Sequence, residues 1–151
     1  MKSREYPKRP LIGIGVVVLR AENVLMEFVR QLDRQQYEVF LIATQSDDAR
    51  LRPDWEKYVD HIYDATQLVS AEQRQRFLYT MALNWAFDVL IIQNSLPVYS
   101  ILPAIKQKQP CTVAIDILHN VDQDWDFFAA TLEVAEHLDR RVVFSQAGRQ
   151  R

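Results

Sequence analysis

Short apolar segments alternate along the chain with longer segments of helical periodicity. Apolar runs rich in β-branched residues predict six strands, at residues 11–19, 37–44, 59–64, 88–93, 111–118 and 141–145. Several of these runs are apolar at successive positions, which indicates strands that are covered on both faces. Such strands are typical of a parallel sheet between two layers of helices, because a one-sided antiparallel sheet would alternate apolar with polar residues.

The segments between the predicted strands have helical character. The first crossover helix is predicted from one apolar stripe, formed by Val24, Leu25, Phe28, Val29 and Leu32. The polar segment 45–57 is expected to be a surface loop with at most one helical turn, and a last helix is predicted for residues 127–138.

Capping and proline positions predict where two further helices begin. Ser70 is placed to cap the second long helix, with Gln73 completing a capping box. Pro97 suits the first turn of the third helix, whereas Pro103 predicts a kink or a later helix start.

The strand and helix pattern predicts an α/β fold. We expect a doubly wound, Rossmann-like arrangement, with a mainly parallel sheet of about six strands and helices on both faces. A chain of 151 residues with 48% hydrophobic residues can bury the core of one domain. Residues 11–151 are expected to form that domain, after a basic tail at residues 1–10.

Polar residues follow most of the predicted strands. They are Thr44 and Gln45, residues 93–95, residues 119–122, and Ser145 with Gln146. Parallel sheets bind ligands at the carboxyl ends of their strands, so this edge is the predicted site of recognition or chemistry. Asn94 and Ser95 are either plain turn residues or the lining of a ligand crevice.

The glycine and histidine patterns argue against two common kinds of site. The chain has three glycines and contains neither a Gly-x-Gly-x-x-Gly loop nor a Walker lysine. Gly13 and Gly15 lie inside the first strand, where close packing of a helix is the favoured reason for a glycine. No two histidines have ligand spacing with a cysteine or carboxylate on one helix face, so no metal is expected, and no cofactor is predicted. His61 and His137 are interpreted as structural residues.

Charge and cysteine content limit the partners and the compartment. A net charge of −2 gives no field that would attract a polyanion, so nucleic acid is not an expected partner. The lone Cys111 suits a reducing cytoplasm and is interpreted as a small buried hydrophobic residue. The basic tail is expected to be a solvated end, with weak peripheral contact with anionic lipid at the inner membrane face as the alternative.

His119 is the candidate catalytic residue. It follows the fifth predicted strand, with Asn120 and Asp122 close behind. A neutral imidazole can accept a proton from a sugar or inositol hydroxyl near neutral pH. The alternative is a histidine that only caps a helix or pairs with Asp116 or Asp122.

The acidic and aromatic run "VDQDWDFF" also has two interpretations. It could form a lip over the crevice, with Trp125 stacking on a sugar ring. It could instead be a helix start, with Asp124 or Asp126 as the cap and the aromatic residues in the core.

Four segments carry a resemblance to a known family: "AENVLMEFVRQLDRQQYEVFLIAT", "FDVLIIQNS", "LPAIKQKQPCTVAIDILHN" and "RVVFSQAGRQR". In this order along the chain they resemble the N-terminal domain of GT-B fold glycosyltransferases, most closely the family-four retaining group. Together they cover nearly the whole chain. The family's paired glycines before Ala-Glu are Leu19 and Arg20 here.

The resemblance implies an acceptor-side domain of an enzyme that transfers a sugar from a nucleotide sugar to a hydroxyl. By resemblance, His119 corresponds to the histidine that faces the reaction centre, and Asn94 and Ser95 correspond to the acceptor loop. Asn120, Asp122 and Trp125 are the further candidates for contact with a sugar or lipid-linked acceptor. In that family a separate C-terminal half binds the donor. The alternative function is a non-catalytic Rossmann-like interaction or regulatory module.

Overall fold

The computed structural model describes residues 8–16, 23–45, 52–118 and 126–143. Its strands are β1 (Leu11–Val16), β2 (Glu38–Ala43), β3 (His61–Asp64), β4 (Val89–Gln93), β5 (Val113–Leu118) and β6 (Arg140–Val143). Its helices are α1 (Asn23–Arg30), α2 (Arg52–Trp55), α3 (Ala65–Leu68), α4 (Ala71–Trp85), α5 (Leu96–Lys108) and α6 (Asp126–Glu133). A 3₁₀ turn spans Ala135–His137.

The strands form one six-stranded sheet in the order β3-β2-β1-β4-β5-β6. Each neighbouring pair is parallel. At the centre of the sheet, Ile14 lies opposite Leu41 on β2 and Ile91 on β4. The predicted α/β fold with a parallel, Rossmann-like sheet is therefore confirmed.

Each face of the sheet has its own hydrophobic core. On one face Phe40 and Ile92 pack with Leu78 of α4 and Leu102 of α5. On the other face Ile14 and Leu41 pack with Leu25 and Val29 of α1 and with Trp55 of α2. Successive residues of one strand face opposite sides, so burial on both faces requires the continuous apolar runs seen in the sequence.

The two glycines of β1 allow close packing against the sheet. A Cβ atom at Gly15 would lie 2.9 Å from Cγ2 of Val98, and one at Gly13 would lie 2.9 Å from the ring of Phe87. Both distances are too short for a real contact, so a side chain at either position would displace a buried neighbour. The predicted packing of a helix against β1 is confirmed at Gly15, which faces α5, whereas Gly13 faces Phe87 in the connection between α4 and β4.

Replacing Gly15 with alanine should lower the free energy of unfolding by about 1–3 kcal/mol, because the new methyl group overpacks the contact with Val98. Val98 is β-branched and 4% exposed, so it has little room to rotate away. Urea denaturation of Gly15→Ala, Val98→Ala and the double variant measures the coupling. The double variant should lose less stability than the sum of the single variants, and simple additivity would contradict this explanation.

The helix starts agree only in part with the sequence-based predictions. α4 begins at Ala71, but the Ser70 side chain makes no capping hydrogen bond, so the predicted capping box is wrong. Ser70 still occupies the N-cap position, and its backbone carbonyl oxygen accepts a hydrogen bond from the Gln73 backbone N–H at 3.1 Å. α5 is continuous through Pro103, so the helix does not start later.

The described helices include no segment with the length and apolar composition needed to cross a membrane.

Candidate functional site

The strand order reverses beside β1. From β1 the chain builds β2 and β3 on one side of the sheet, and then β4, β5 and β6 on the other. In open α/β sheets, ligands bind at the carboxyl ends of the strands where this reversal occurs. We call the polar residues that follow β2 and β4 at this place the rim, and define it as Thr44, Asn94 and Ser95.

The two hydroxyl groups of the rim are buried and connect the ends of the strands. The Oγ1 atom of Thr44 donates to the carbonyl oxygen of Val16 at 2.8 Å and lies 2.7 Å from Oγ of Ser95. Because the single hydroxyl proton of Thr44 is used on Val16, the Ser95 hydroxyl is the donor between the two. The Oγ atom of Ser95 also accepts a hydrogen bond from the Val98 backbone N–H at 3.4 Å, which caps α5. These bonds join the ends of β1, β2 and β4.

Asn94 forms the tight turn between β4 and α5. It is half-buried and has a φ of 52°, which lies in the left-handed region that asparagine tolerates better than most residues. Ser95, by contrast, is fully buried. Asn94 is therefore the rim residue with exposed surface at this turn, while Ser95 fixes the turn from below. Their roles in acceptor binding stay predictions.

Replacing Ser95 with alanine should cost about 1–2 kcal/mol of unfolding free energy, because it removes the cap of α5 and the donor to Thr44. Ser100→Ala is a matched control on the same helix. The exposed Ser100 hydroxyl donates to the carbonyl oxygen of Pro97 at 2.8 Å, so its loss should cost less than about 0.5 kcal/mol. Equal losses in thermal or urea unfolding would contradict the structural role of Ser95.

A second polar cluster lies inside the sheet at β5. Asp116 is fully buried and accepts hydrogen bonds from the hydroxyls of Tyr99, at 2.6 Å, and Thr131. The Nε atom of Arg141 lies 3.4 Å from its Oδ2 atom. From the sequence, Asp116 was expected only as a possible pairing partner of His119. The signal that could have found the cluster is a carboxylate within an apolar strand that is covered on both faces, since such a group needs buried partners.

Burial dominates the electrostatics of this cluster. Desolvation raises the pKa of Asp116 above its ordinary value, against the opposing hydrogen bonds from Thr131 and Tyr99 and the charge of Arg141. Burial also raises the pKa of Tyr99, and the neighbouring Asp116 carboxylate adds to the rise. Asp116 is therefore harder to ionise than an exposed aspartate.

Four predicted site residues lie outside the described part of the chain: His119, Asn120, Asp122 and Trp125. Leu118, which precedes His119 in the sequence, ends β5 at the same edge of the sheet where Gln93 ends β4. The structure brings Asn94 and Ser95 to the rim together with Thr44. The roles assigned to the other four residues stay predictions.

The other two histidines make local contacts. His61 lies 2.8 Å from a Glu38 carboxylate oxygen and stacks on the ring of Phe40, with the ring centres 4.2 Å apart. His137 lies 3.4 Å from the carboxylate of its neighbour Glu136. Within the described ranges, no group of three or more histidine, cysteine or acidic residues is placed to hold a metal ion.

A groove of about 290 Å³ lies on the flank of the molecule between β3 and α4. Its lining residues are neutral: Tyr63, Leu68, Phe77, Thr80, Met81, Asn84 and Trp85. The groove lies away from the carboxyl ends of β1, β2 and β4, where the strand order reverses. We keep the rim as the candidate site because parallel sheets bind ligands at that reversal.

Comparison with known proteins addresses the fold. No protein-family model matches the chain, and none of the curated proteins does. Solved structures do match, among them a mutant O-GlcNAc transferase of Thermobaculum terrenum, with 18% identity and a TM-score of 0.56. That match covers 76% of this chain and 22% of the transferase, so this chain spans less than a quarter of the transferase's length.

Two further structures are similar over most of their own length. The TrkA-N domain of the inner membrane protein ybaL from Escherichia coli has 13% identity and a TM-score of 0.53, with 96% of this chain and 95% of that domain covered. The protein MT0777 has 16% identity and a TM-score of 0.52, with 90% and 85% covered. The fold is Rossmann-like. At sequence identities below 20%, these three structures establish a shared Rossmann-like fold. They do not decide the function of this chain.

Proposed function

We propose that this chain is the acceptor-side domain of a glycosyltransferase, which transfers a sugar from a nucleotide sugar to a hydroxyl acceptor. The observation that supports this most is the chemistry of the rim. At the point where a Rossmann-like sheet binds its ligand, the half-buried side-chain amide of Asn94 is available, while the fully buried hydroxyls of Thr44 and Ser95 hold the turn from below. A neutral amide suits a neutral polyhydroxyl ligand. The likeness to an O-GlcNAc transferase, a protein that acts on a sugar, is in keeping with this proposal.

The rim also lacks the main feature of a phosphate site. The residues that follow β1 are Val17, Val18, Leu19 and Arg20, so no glycine lets the backbone approach a pyrophosphate there. The glycines of β1 are occupied by contacts with Phe87 and Val98. In this proposal the nucleotide sugar is therefore bound by a separate donor-binding half, as the family resemblance implies.

The roles within the proposed site follow from side-chain chemistry. His119 contacts the acceptor hydroxyl or accepts its proton as that oxygen bonds to the anomeric carbon. The bond from the anomeric carbon to the nucleotide phosphate breaks, and the nucleotide leaves with the electron pair. Asn94 and Asn120 orient the acceptor, Ser95 contributes by holding the Asn94 turn from below, and Asp122 and Trp125 are further contacts.

The proposed acceptor is a sugar or a lipid-linked hydroxyl compound, such as an intermediate of cell-wall or polysaccharide synthesis. The proposed location is the cytoplasm. For a lipid-linked acceptor, the basic residues at positions 1–10 supply peripheral contact with the inner face of the membrane.

Calorimetric titration of this chain tests the proposal. Glucose, N-acetylglucosamine and myo-inositol are the neutral probes, and UDP-glucose and GDP-mannose are the donor probes. We expect saturable heat with at least one neutral probe and no tight binding of either nucleotide sugar. Micromolar binding of a nucleotide sugar by this chain alone would contradict the division between acceptor and donor halves.

Matched asparagine variants locate the binding. Asn94→Gly removes the side-chain amide and keeps the left-handed backbone, so it should weaken neutral-sugar binding without disturbing the turn. Asn84→Ala removes an exposed asparagine from α4, away from the rim, and should leave binding unchanged. Equal effects of the two variants would contradict a site at the rim.

The second candidate function is a non-catalytic Rossmann-like regulatory or interaction module. The full-length match to the TrkA-N domain favours it, because 96% of this chain and 95% of that domain correspond. That domain is one part of an inner membrane protein, so a fold of this kind and size occurs as a module of a larger protein.

A further inference from the structure

The described helices cover the two faces of the sheet unequally. The face that carries Phe40 packs against α4, α5 and α6. The opposite face, which carries Ile14, packs against α1 and α2. Both of these helices belong to the connections between β1, β2 and β3. No described helix that follows β3 contributes to the core on the α1 side, so β5 and β6 lie at the less covered end of that face.

Two valines of β5 and β6 are exposed on the α1 side of the sheet. Val113 is 39% exposed and Val142 is 42% exposed, although both lie within strands. Alternation along β5 places Val113 on the same face as Ile115 and Ile117, and the register places Val142 beside Ile117. Ala114, which follows Val113 but faces the other side of the sheet, is fully buried. The exposure is therefore a property of one face and not of the sheet edge as a whole.

We call this surface the open face, and define it as Val89, Val113, Ile115, Arg140 and Val142. Val89 lies beside Val113 and Ile115 lies beside Arg140 in the register, so the surface is continuous over β4, β5 and β6. Val89 and Ile115 are half-buried. Parallel strands are normally covered on both faces, and a continuous exposed apolar surface is typical of a site that binds another protein segment.

The dimensions of the open face suit one helix. The face spans three strands about 4.8 Å apart and about five residues along each strand, which gives an area of roughly 200–300 Å². A stable pair of identical chains buries roughly 800 Å² on each partner, so the open face is too small to hold a second copy by itself. An α-helix is about 10 Å across, which matches the width of three strands.

Arg140 gives the open face a positive charge. Its guanidinium donates to the carbonyl oxygen of Asp139 at 2.7 Å, whereas the Asp139 carboxylate binds Lys106. Among the described residues, no carboxylate lies within ion-pairing distance of Arg140. Residues 144–151, which follow β6 in the sequence, contain two arginines and no acidic residue, so they do not complement this charge. An occupant with an acidic side chain at this position would complement it.

We propose that the open face binds an amphipathic helix supplied by a polypeptide segment outside residues 1–151. The helix places its apolar side chains on Val113, Ile115 and Val142 and an acidic side chain beside Arg140. Recognition of this kind uses an apolar stripe at the i, i+3, i+4 and i+7 positions of the bound helix. The inference does not depend on sugar transfer, and it gives the domain a specific surface through which it joins a larger protein.

Titration with synthetic peptides, followed by the backbone amide signals of this chain, tests the inference. The probe peptide has about 14 residues, because a helix of that length is about 20 Å long and crosses the open face. It carries leucines at the i, i+3, i+4 and i+7 positions and glutamates beside this stripe. A second peptide has lysines in place of the glutamates, and a third has serines in place of the leucines.

We expect saturable changes at Val113, Ile115 and Val142 with the glutamate peptide. The lysine peptide should bind about two- to fivefold more weakly, which is the usual contribution of an exposed ion pair. The serine peptide should not bind, because it has no apolar stripe.

Three variants locate the contact. Arg140→Glu should weaken the glutamate peptide about two- to fivefold and strengthen the lysine peptide by a similar factor. Val142→Lys should weaken both peptides at least about tenfold, because it places a charge within the apolar contact. Leu132→Lys is the matched control and should leave binding unchanged, because Leu132 is a similarly exposed apolar residue on α6, outside the open face. If Val142→Lys does not fold, the charge reversal at the exposed Arg140 decides.

Several results would overturn the inference. They are the absence of binding by the glutamate peptide at millimolar concentration, equal binding of the glutamate and lysine peptides, and changes confined to the flank groove at Tyr63, Phe77 and Trp85. Sedimentation of this chain alone should show a monomer. A dimer that Val142→Lys abolishes would assign the open face to a second copy and would also overturn the inference. No sugar is used, so failure of sugars to bind would count against the proposed function alone.

Discussion

Replacing Asp116 with alanine should lower the free energy of unfolding by about 3–5 kcal/mol. The substitution leaves the hydroxyls of Tyr99 and Thr131 without their acceptor in a site that water does not reach, and each unsatisfied buried group costs about 1–3 kcal/mol. The Arg141 side chain is 27% exposed, so its guanidinium can turn to solvent and adds little to the loss.

Asp116→Asn is the matched control, because the carboxamide keeps the shape and one acceptor oxygen. A hydroxyl can reverse its direction and accept from the new NH₂ group, so we expect a loss of about 1 kcal/mol or less near neutral pH. Urea unfolding with circular dichroism measures both variants. Equal losses for alanine and asparagine would show that the hydrogen-bond acceptor at this position does not stabilise the fold.

The wild type and Asp116→Asn should differ in how their free energy of unfolding depends on pH. The folded pKa of Asp116 is raised by burial, so the folded state binds the proton more tightly than the unfolded state does. The contribution of Asp116 to the free energy of unfolding is fully present below the ordinary aspartate pKa, and it is lost as pH rises through the pKa of the folded state. Stability of the wild type relative to Asp116→Asn should therefore fall as pH rises from about 4 toward neutrality. A relative stability that rises with pH would contradict the raised pKa.

Asp60 supplies a control of the opposite sign. Its pKa is lowered overall, because hydrogen bonds from the Val39 backbone N–H and the Arg34 guanidinium outweigh the cost of its partial burial. Its contribution is therefore present above the unfolded pKa and is lost as pH falls through the folded value. Wild type relative to Asp60→Asn should lose stability on acidification, in contrast to the Asp116 pair.

If the proposed function is correct and His119 is the general base, replacing His119 with alanine should lower turnover about 100- to 10,000-fold in the enzyme assembled with its proposed donor-binding half. This range is the usual contribution of a positioned proton acceptor. The change should appear in kcat, with the acceptor KM altered little, because the proton moves in the transition state. Both kinetic constants are measured from the rate at which labelled sugar is transferred to the acceptor.

His137→Ala is the control, because it removes a histidine that lies outside the proposed site. His137 lies in the 3₁₀ turn before β6 and pairs with Glu136, so its removal should leave turnover within about twofold. Wild-type turnover in His119→Ala would remove the catalytic role and favour the non-catalytic module. Equal losses in both variants would point to a general loss of stability.

The sequence predicted the sheet well because its apolar runs reflect burial on both faces. Ile12, Ile14 and Val16 face one core and Leu11 faces the other, so no polar residue could interrupt β1. The rim was also predictable in outline, since Asn94 and Ser95 end an apolar run before a proline-started helix. What the sequence did not show is that the Ser95 hydroxyl is used inside the protein, because its partner Thr44 is 51 positions away.

The contacts that could not be predicted from the sequence are mainly long-range polar contacts. The partners of Asp116 lie 17 and 15 positions away in sequence, at Tyr99 and Thr131, and no local pattern connects them. The Ser70 capping box failed although Ser70 occupies the N-cap position, because its side chain makes no capping hydrogen bond. The strands predicted from apolar runs therefore succeeded. Two burial predictions were wrong: Cys111, interpreted as buried, is exposed in the turn before β5, and Phe28 of the predicted apolar stripe is 42% exposed.

Chemical-shift mapping of this chain with a neutral sugar tests the location of the site most directly. Backbone amide signals are recorded during titration with N-acetylglucosamine, glucose or myo-inositol. We expect the largest chemical-shift changes at Thr44, Asn94 and Ser95, which lie at the carboxyl ends of the strands. Changes confined to Asp88, Cys111 and Thr112, which precede β4 and β5 at the opposite edge, would contradict it.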